Sequence, residues 1–424
     1  MTETTAAVAG DRFAALRESP NYRRYLVGQS VSLAGTWMQT VAQGWLVLQL
    51  TGSGTKVGLV TAAQYLPVLL LAPAGGLLAD RVERRRVLLA TQLAFAVLAS
   101  ILGILTVTGS VRMWMVYVVA VGFGIVTAAD NPARQTFIAE LVSPSLISNA
   151  VTLNSININA GRIVGPALAA ITIKLFGIGT CFLLNAASFI AVMAALATLD
   201  QTTMRRRPVM AREPRQLRAG LAYVARTPDL LVPLLMMVVI GTLTYEFQVN
   251  LPLLARYTFH GDEGTYSLLT GAMGVGAVIG GIATAGRDRR GIPVIVRQAA
   301  WFGLVIAAVA AAPRLWMALV GLVFVGWASI TFTARANATM QLSANPEMRG
   351  RVMALWTVAF LGTTPIGGPA IGFISDRTTP RIGMATQAGA SLVAALLGGL
   401  WWWSQRRRAA ESRSRDAAAD RPAW

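Results

Sequence analysis

The chain has 424 residues, 54% of them hydrophobic and only 13% charged, with a mean hydropathy of +0.55; a soluble multidomain chain carries about a quarter charged residues and is excluded. The formal net charge of +18 does not mark a nucleic-acid binder, because the arginines fall between apolar stretches rather than on one face of a soluble domain. A lone Cys181 and a lone His260 exclude an intrachain disulfide and a His/Cys metal site, though not a carboxylate one. No metal and no cofactor are expected.

In chain order, the segment 1–24 is polar and lacks the apolar core of a signal peptide, so it is expected to stay in the cytosol. Apolar stretches near membrane length follow at 25–50, 57–79, 87–107, 113–137, 146–176 and 178–199. Gln29, Ser32, Thr36, Gln39, Thr40 and Gln43 in the first of these fall within roughly a 100° arc at helical pitch. Such a stripe faces either a wet cavity, as substrate contacts would, or neighbouring helices through hydrogen bonds. After the second span comes Gly76-Leu-Leu-Ala-Asp80-Arg81-Val-Glu-Arg84-Arg85-Arg86. Asp80 there can accept hydrogen bonds from a helix N-terminus or an arginine of an opposing bundle, so Asp80, Arg81, Arg84 and Arg85 are candidate gating residues; the alternative is that the arginines only anchor topology.

In the fourth span Asp130 and Arg134 stand at i, i+4 and read either as an internal ion pair or, for Asp130, as a proton site. In the fifth, Asn154, Asn157, Gly161 and Gly165 share one face, and Asn159, Arg162 and Pro166 another. The asparagines are cavity candidates, and Gly165-Pro166 either bends its helix or permits close packing.

Residues 200–229 form an arginine- and proline-rich linker. A second set of stretches follows at 230–254, 265–285, 292–312, 315–338, 352–374 and 382–403, then a basic tail, 404–424, expected to be disordered. Glu246 lies near the middle of the seventh span, with Thr242 and Tyr245 on its face and no basic residue within a turn. A carboxylate so placed is neutral, paired or wet, and is the leading candidate to carry a proton, with Asp130 next and Arg162 of the other half its candidate partner. Gly276 and Gly280 form a close-packing pair, and no phosphate-binding glycine loop occurs anywhere, so ATP is not the energy source.

Counted from a cytosolic N-terminus, basic residues favour the inner connections over the outer ones by roughly four to one, which places both termini in the cytosol. The two sets of spans echo each other. Val121-Gly122 returns as Val325-Gly326, and Gly165-Pro166-Ala167 as Gly368-Pro369-Ala370, so Gly368 and Pro369 become the second pair of candidate bending residues.

The loop Gly76–Arg86 resembles the signature of the major facilitator superfamily, Gly-x-Leu-Ala-Asp-Arg-x-Gly-Arg-Arg, with Glu83 where the broad family prefers glycine. That acidic residue, with Asn21-Tyr-Arg-Arg-Tyr, Asn131-Pro-Ala-Arg134-Gln and Arg162-Ile-Val-Gly-Pro166, resembles the branch of the enterobactin exporter and drug:proton antiporters. The resemblance implies an all-α membrane protein of about twelve transmembrane helices in two pseudo-symmetric six-helix bundles, 25–199 and 230–403. It implies a proton-coupled exporter of small amphipathic molecules such as drugs or siderophores, acting as a monomer in the inner membrane by alternating access. A proton-coupled importer is the nearest rival. A membrane-embedded transferase is the other, and it would need a catalytic cluster for which only His260, Asp262 and Glu263 offer material.

Overall fold

The computed structural model describes residues 13–204, 216–284 and 291–419. Its first bundle comprises Pro20–Thr51, Gly54–Arg81, Arg84–Val107, Met113–Leu141, Ile147–Phe176 and Ile178–Ala197. The second comprises Pro228–Thr258, Glu263–Thr284, Ile292–Ala311, Leu315–Ser343, Arg349–Arg377 and the helix Pro380–Ala419. Eleven of these segments are long and apolar enough to cross a membrane by composition. Pro20–Thr51 falls short because its polar stripe lowers its hydropathy, yet at 32 residues it is ample to span.

Local chemistry sets the boundaries. Ser19 caps the first span by accepting from the Tyr22 N–H (3.1 Å), and Pro20 supplies the fixed φ of a first helical residue. Gly52 ends that helix at φ 65°, a left-handed conformation that glycine adopts without steric cost. Asn21 then ties the start of the first span to the end of the sixth, donating to the Asp200 carbonyl (2.8 Å) and accepting from the Asp200 N–H (3.0 Å).

Helix pairing repeats between the bundles. Second packs on fourth, third on sixth and first on fifth, just as eighth packs on tenth, ninth on twelfth and seventh on eleventh. Across the bundles the second span meets the eleventh and the fifth meets the eighth, two contacts that a pseudo-two-fold axis exchanges. Gly276 and Gly280 lie against Val323 and Trp327 of the tenth span, the close packing expected of them.

Three features of the structure go beyond the sequence reading. The tail, expected to be disordered, is helical through residue 419, its alanines and arginines propagating the twelfth helix. The linker contains a helix, Gln216–Arg226, whose Gly220 lies against Arg351. The seventh and eleventh spans are broken. The seventh has π turns at Ile240–Thr244 and Leu254–Thr258 and leaves helical geometry at Tyr245 and Glu246. The eleventh breaks between Leu361 and Thr364, not at Gly368-Pro369.

Candidate transport site

The polar stripe of the first span divides along its length. Thr36, Gln39 and Gln43 line a cavity of about 70 Å³ together with Gln64 and Tyr65 of the second span and Gln248 of the seventh. Gln39 also accepts from the Asn185 amide (2.7 Å). The stripe is thus divided between a cavity and neighbouring helices. Ser32 is buried beside it. Gln29, nearer the terminal end, is committed elsewhere: it accepts from Arg134.

That bond belongs to a closed network. Asp130 is 4% exposed and accepts from Arg134 Nε (2.7 Å) and Nη2 (3.0 Å), from the Thr91 hydroxyl (2.7 Å) and from the Gln92 amide (3.0 Å). Four donors thus converge on this one carboxylate, tying the third and fourth spans together. Thr91 and Gln92 were not found from sequence, because nothing in the third span's pattern says which neighbour its two polar residues meet.

Glu246 is arranged differently. It is 2% exposed and sits where the seventh helix is interrupted. Its Oε1 has no hydrogen-bond partner and no cation lies within ion-pair distance among the described residues; the Thr364 hydroxyl is alongside. The eleventh span presses glycines onto it: a Cβ on Gly367 would lie 2.8 Å from Oε1, and one on Gly368 would lie 3.3 Å from Oε2. Thr242 and Tyr245, expected beside Glu246, each engage other partners. The Thr242 hydroxyl bonds its own helix at Val238. The Tyr245 hydroxyl reaches Thr333 (2.7 Å) and the Ser329 carbonyl (3.1 Å), its ring packed on Phe302 and Phe360.

On the fifth span, Arg162 places its guanidinium 5.1 Å from the centre of the Trp37 ring. Asn157 is buried with its amide nitrogen unpartnered, and Asn154 is half-buried. Gly165 and Pro166 lie within the unbroken helix Ile147–Phe176. A Cβ on Gly165 would lie 2.9 Å from the Ala34 carbonyl oxygen and the Met38 nitrogen, so this glycine allows the first and fifth spans to touch. Gly368 does the same against Gly58 of the second span, 3.2 Å from its carbonyl oxygen by the same construction.

The gating candidates lie at the terminal end. The Asp80 side chain lies outside the described residues, and Arg81 is exposed. Arg84 pairs with Glu140, and Arg85 donates to the carbonyls of Leu196 (2.8 Å) and Ala197 (3.2 Å), so both arginines bind their own bundle. Closure between bundles occurs at the other end, around a residue the sequence did not single out. Asp376 accepts from the Gly54 N–H (2.6 Å), the Thr55 N–H (2.9 Å) and the hydroxyls of Ser53 and Thr55 (2.7 Å each). Arg256 donates to the Leu48 carbonyl and Tyr257 to that of Gly52, each at 2.8 Å. At the terminal end, no hydrogen bond or ion pair among the described residues joins the bundles.

The comparisons fit this architecture. Macrolide efflux protein A of Streptococcus pyogenes is 25% identical over 82% of this chain and 88% of its own length. The enterobactin exporter of Salmonella typhimurium is 23% identical over 89% and 91%. An uncharacterized MFS-type transporter of Bacillus subtilis, YfiS, is 29% identical over a stretch that spans only half of each chain. Among solved structures, the nucleoside transporter NupG superposes with a TM-score of 0.73 at 14% identity, covering 89% of this chain and 98% of that one. A family model described as transmembrane secretion effector matches residues 11–421, nearly the whole length. The chain is a multi-pass membrane protein that belongs to that family of transporters within the major facilitator superfamily.

Proposed function

We propose that this protein is a secondary active exporter that exchanges small amphipathic molecules for protons across the inner membrane, with both termini in the cytosol. The observation that carries this reading is Glu246. It is a buried carboxylate at an interrupted helix, with one oxygen unpartnered and glycines of the opposite broken span against it. A carboxylate so placed can take up and release a proton as conformational change moves it between dry and wet surroundings. Export, rather than import, is supported by the efflux proteins among the relatives.

The bundles are tied at the end away from the termini, which on this orientation is an inward-facing state. Exchange would open that end by releasing Asp376 and close the terminal end around Asp80 and Arg81. Arg84 and Arg85 would hold the first bundle rigid during the movement.

The test is accumulation of an amphipathic dye by energised everted vesicles across external pH. Glu246→Gln mimics the protonated carboxyl. It is expected to bind and exchange dye down a gradient but not to concentrate it. Full, pH-responsive accumulation by Glu246→Gln would refute the assignment of the proton to this residue.

A further inference from the structure

Two arginines lie deep in the first bundle, and the protein accommodates them in opposite ways. Arg134 is neutralised by Asp130 through two hydrogen bonds. Arg162 donates no hydrogen bond among the described residues, its Nε is buried without a partner, and no carboxylate stands within ion-pair distance of it. The side chain is half-buried, and a cation partly withdrawn from water with no anion beside it is costly; the Trp37 face offsets only part of that cost.

Its place in the fold is central. A Cβ on Gly274 of the eighth span would lie 2.9 Å from the Arg162 carbonyl oxygen, so the residue sits where the bundles meet. The ionisable groups that feel its charge are Tyr65 of the second span, which lines the central cavity, and Tyr245 of the seventh.

We propose that Arg162 is the anchor for the negative group of the transported molecule, an amphipathic carboxylate whose flat apolar body lies against Trp37. A guanidinium offers a planar fork that matches a carboxylate through two parallel hydrogen bonds, and a low-dielectric site strengthens both. The missing counter-charge would then arrive with the substrate. This rests on the transport reading above and extends it to a substrate class.

The experiment is thermal unfolding of the purified full-length protein in detergent with 1-naphthylacetate or its methyl ester, which differ by one charge. The acid is expected to raise the midpoint and to bind roughly 10- to 100-fold more tightly than the ester, the range for hydrogen bonds to a charged group. Arg162→Gln is expected to lose that preference while its ligand-free midpoint stays close to or above wild type, since a half-buried unpaired charge has been removed. Arg162→Lys keeps the charge without the fork and is expected to retain part of the preference. Equal responses to acid and ester, no response to the acid, or an undiminished acid preference in Arg162→Gln would each overturn the assignment. A larger shift from phosphatidylglycerol added to the micelles than from the acid would also overturn it, in favour of a lipid headgroup. Binding needs no gradient, so failed accumulation in vesicles with acid-selective binding intact counts against proton coupling and not against this site.

Discussion

Asp376 holds together the end of the protein away from the termini, and removing it is expected to open that end. Its carboxylate takes two backbone N–H groups from the first turn of the second span and two hydroxyls beside them, all in the opposite bundle. A hydrogen bond to a charged acceptor contributes about 1.5–3 kcal/mol when buried. Here the partners are partly exposed, so donors freed by Asp376→Ala regain water, and Arg256 and Tyr257 still bridge the bundles. A net loss of about 1–2 kcal/mol is therefore expected, and it falls wholly on the closed state, because only that state makes the bonds. The ratio of closed to open should drop about 5- to 30-fold. Thr61 lines the cavity between the bundles, so a Thr61→Cys reporter in a Cys181→Ser background measures the opening. Its labelling by an impermeant maleimide from the side away from the termini should accelerate by that factor. Asp376→Asn should accelerate it less, since an asparagine oxygen still caps a helix N-terminus. An unchanged labelling rate in Asp376→Ala would refute the view that this carboxylate closes the outer end.

Asp130→Asn leaves Arg134 without its anion and is expected to destabilise the protein on the order of 3 kcal/mol in thermal unfolding, with the Asp130→Asn/Arg134→Gln pair recovering much of the loss. If Asp130 carried protons instead, coupling would fail with the midpoint unchanged. Asp262, in the connection before the eighth span, accepts from the Thr265 N–H (3.0 Å), and that bond holds its carboxyl below the ordinary carboxylate range. A depressed folded-state pKa stabilises at neutral pH and ceases to do so as pH falls through that lowered value. Asp262→Ala should therefore lower the unfolding midpoint by the equivalent of about 1 kcal/mol at neutral pH, and the gap from wild type should close on acidification. For topology, cysteines replacing Arg206 and His260 in the Cys181→Ser background should react with an impermeant reagent from opposite sides of the membrane; labelling from one side would refute the two-bundle orientation.

Membrane insertion, the number of spans and the internal duplication were legible in the chain because they depend on properties summed over many residues. About twenty apolar residues must cross the bilayer as helix, since no other open backbone structure satisfies its hydrogen bonds there. Repeated Gly-Pro pairs survive as a spacing that needs no coordinates to see. Asp130 with Arg134 was also readable, because i, i+4 neighbours meet on any helix. What only the tertiary structure decided concerns contacts between helices distant in sequence. Gln29 looked like its stripe-mates Gln39 and Gln43, and its fate turned on Arg134 arriving from the fourth span. Gly165-Pro166 and Gly368-Pro369 read alike as either bends or close-packing sites; the structure shows neighbouring helices pressed onto both glycines, while the breaks fall at Glu246 and before Thr364. Arg84 and Arg85 satisfy their own bundle, whereas Asp376, unremarked at a helix end, bridges both. A side chain's partner depends on the rotation and depth of the helix packed against it, and neither is encoded in the periodicity of a single span.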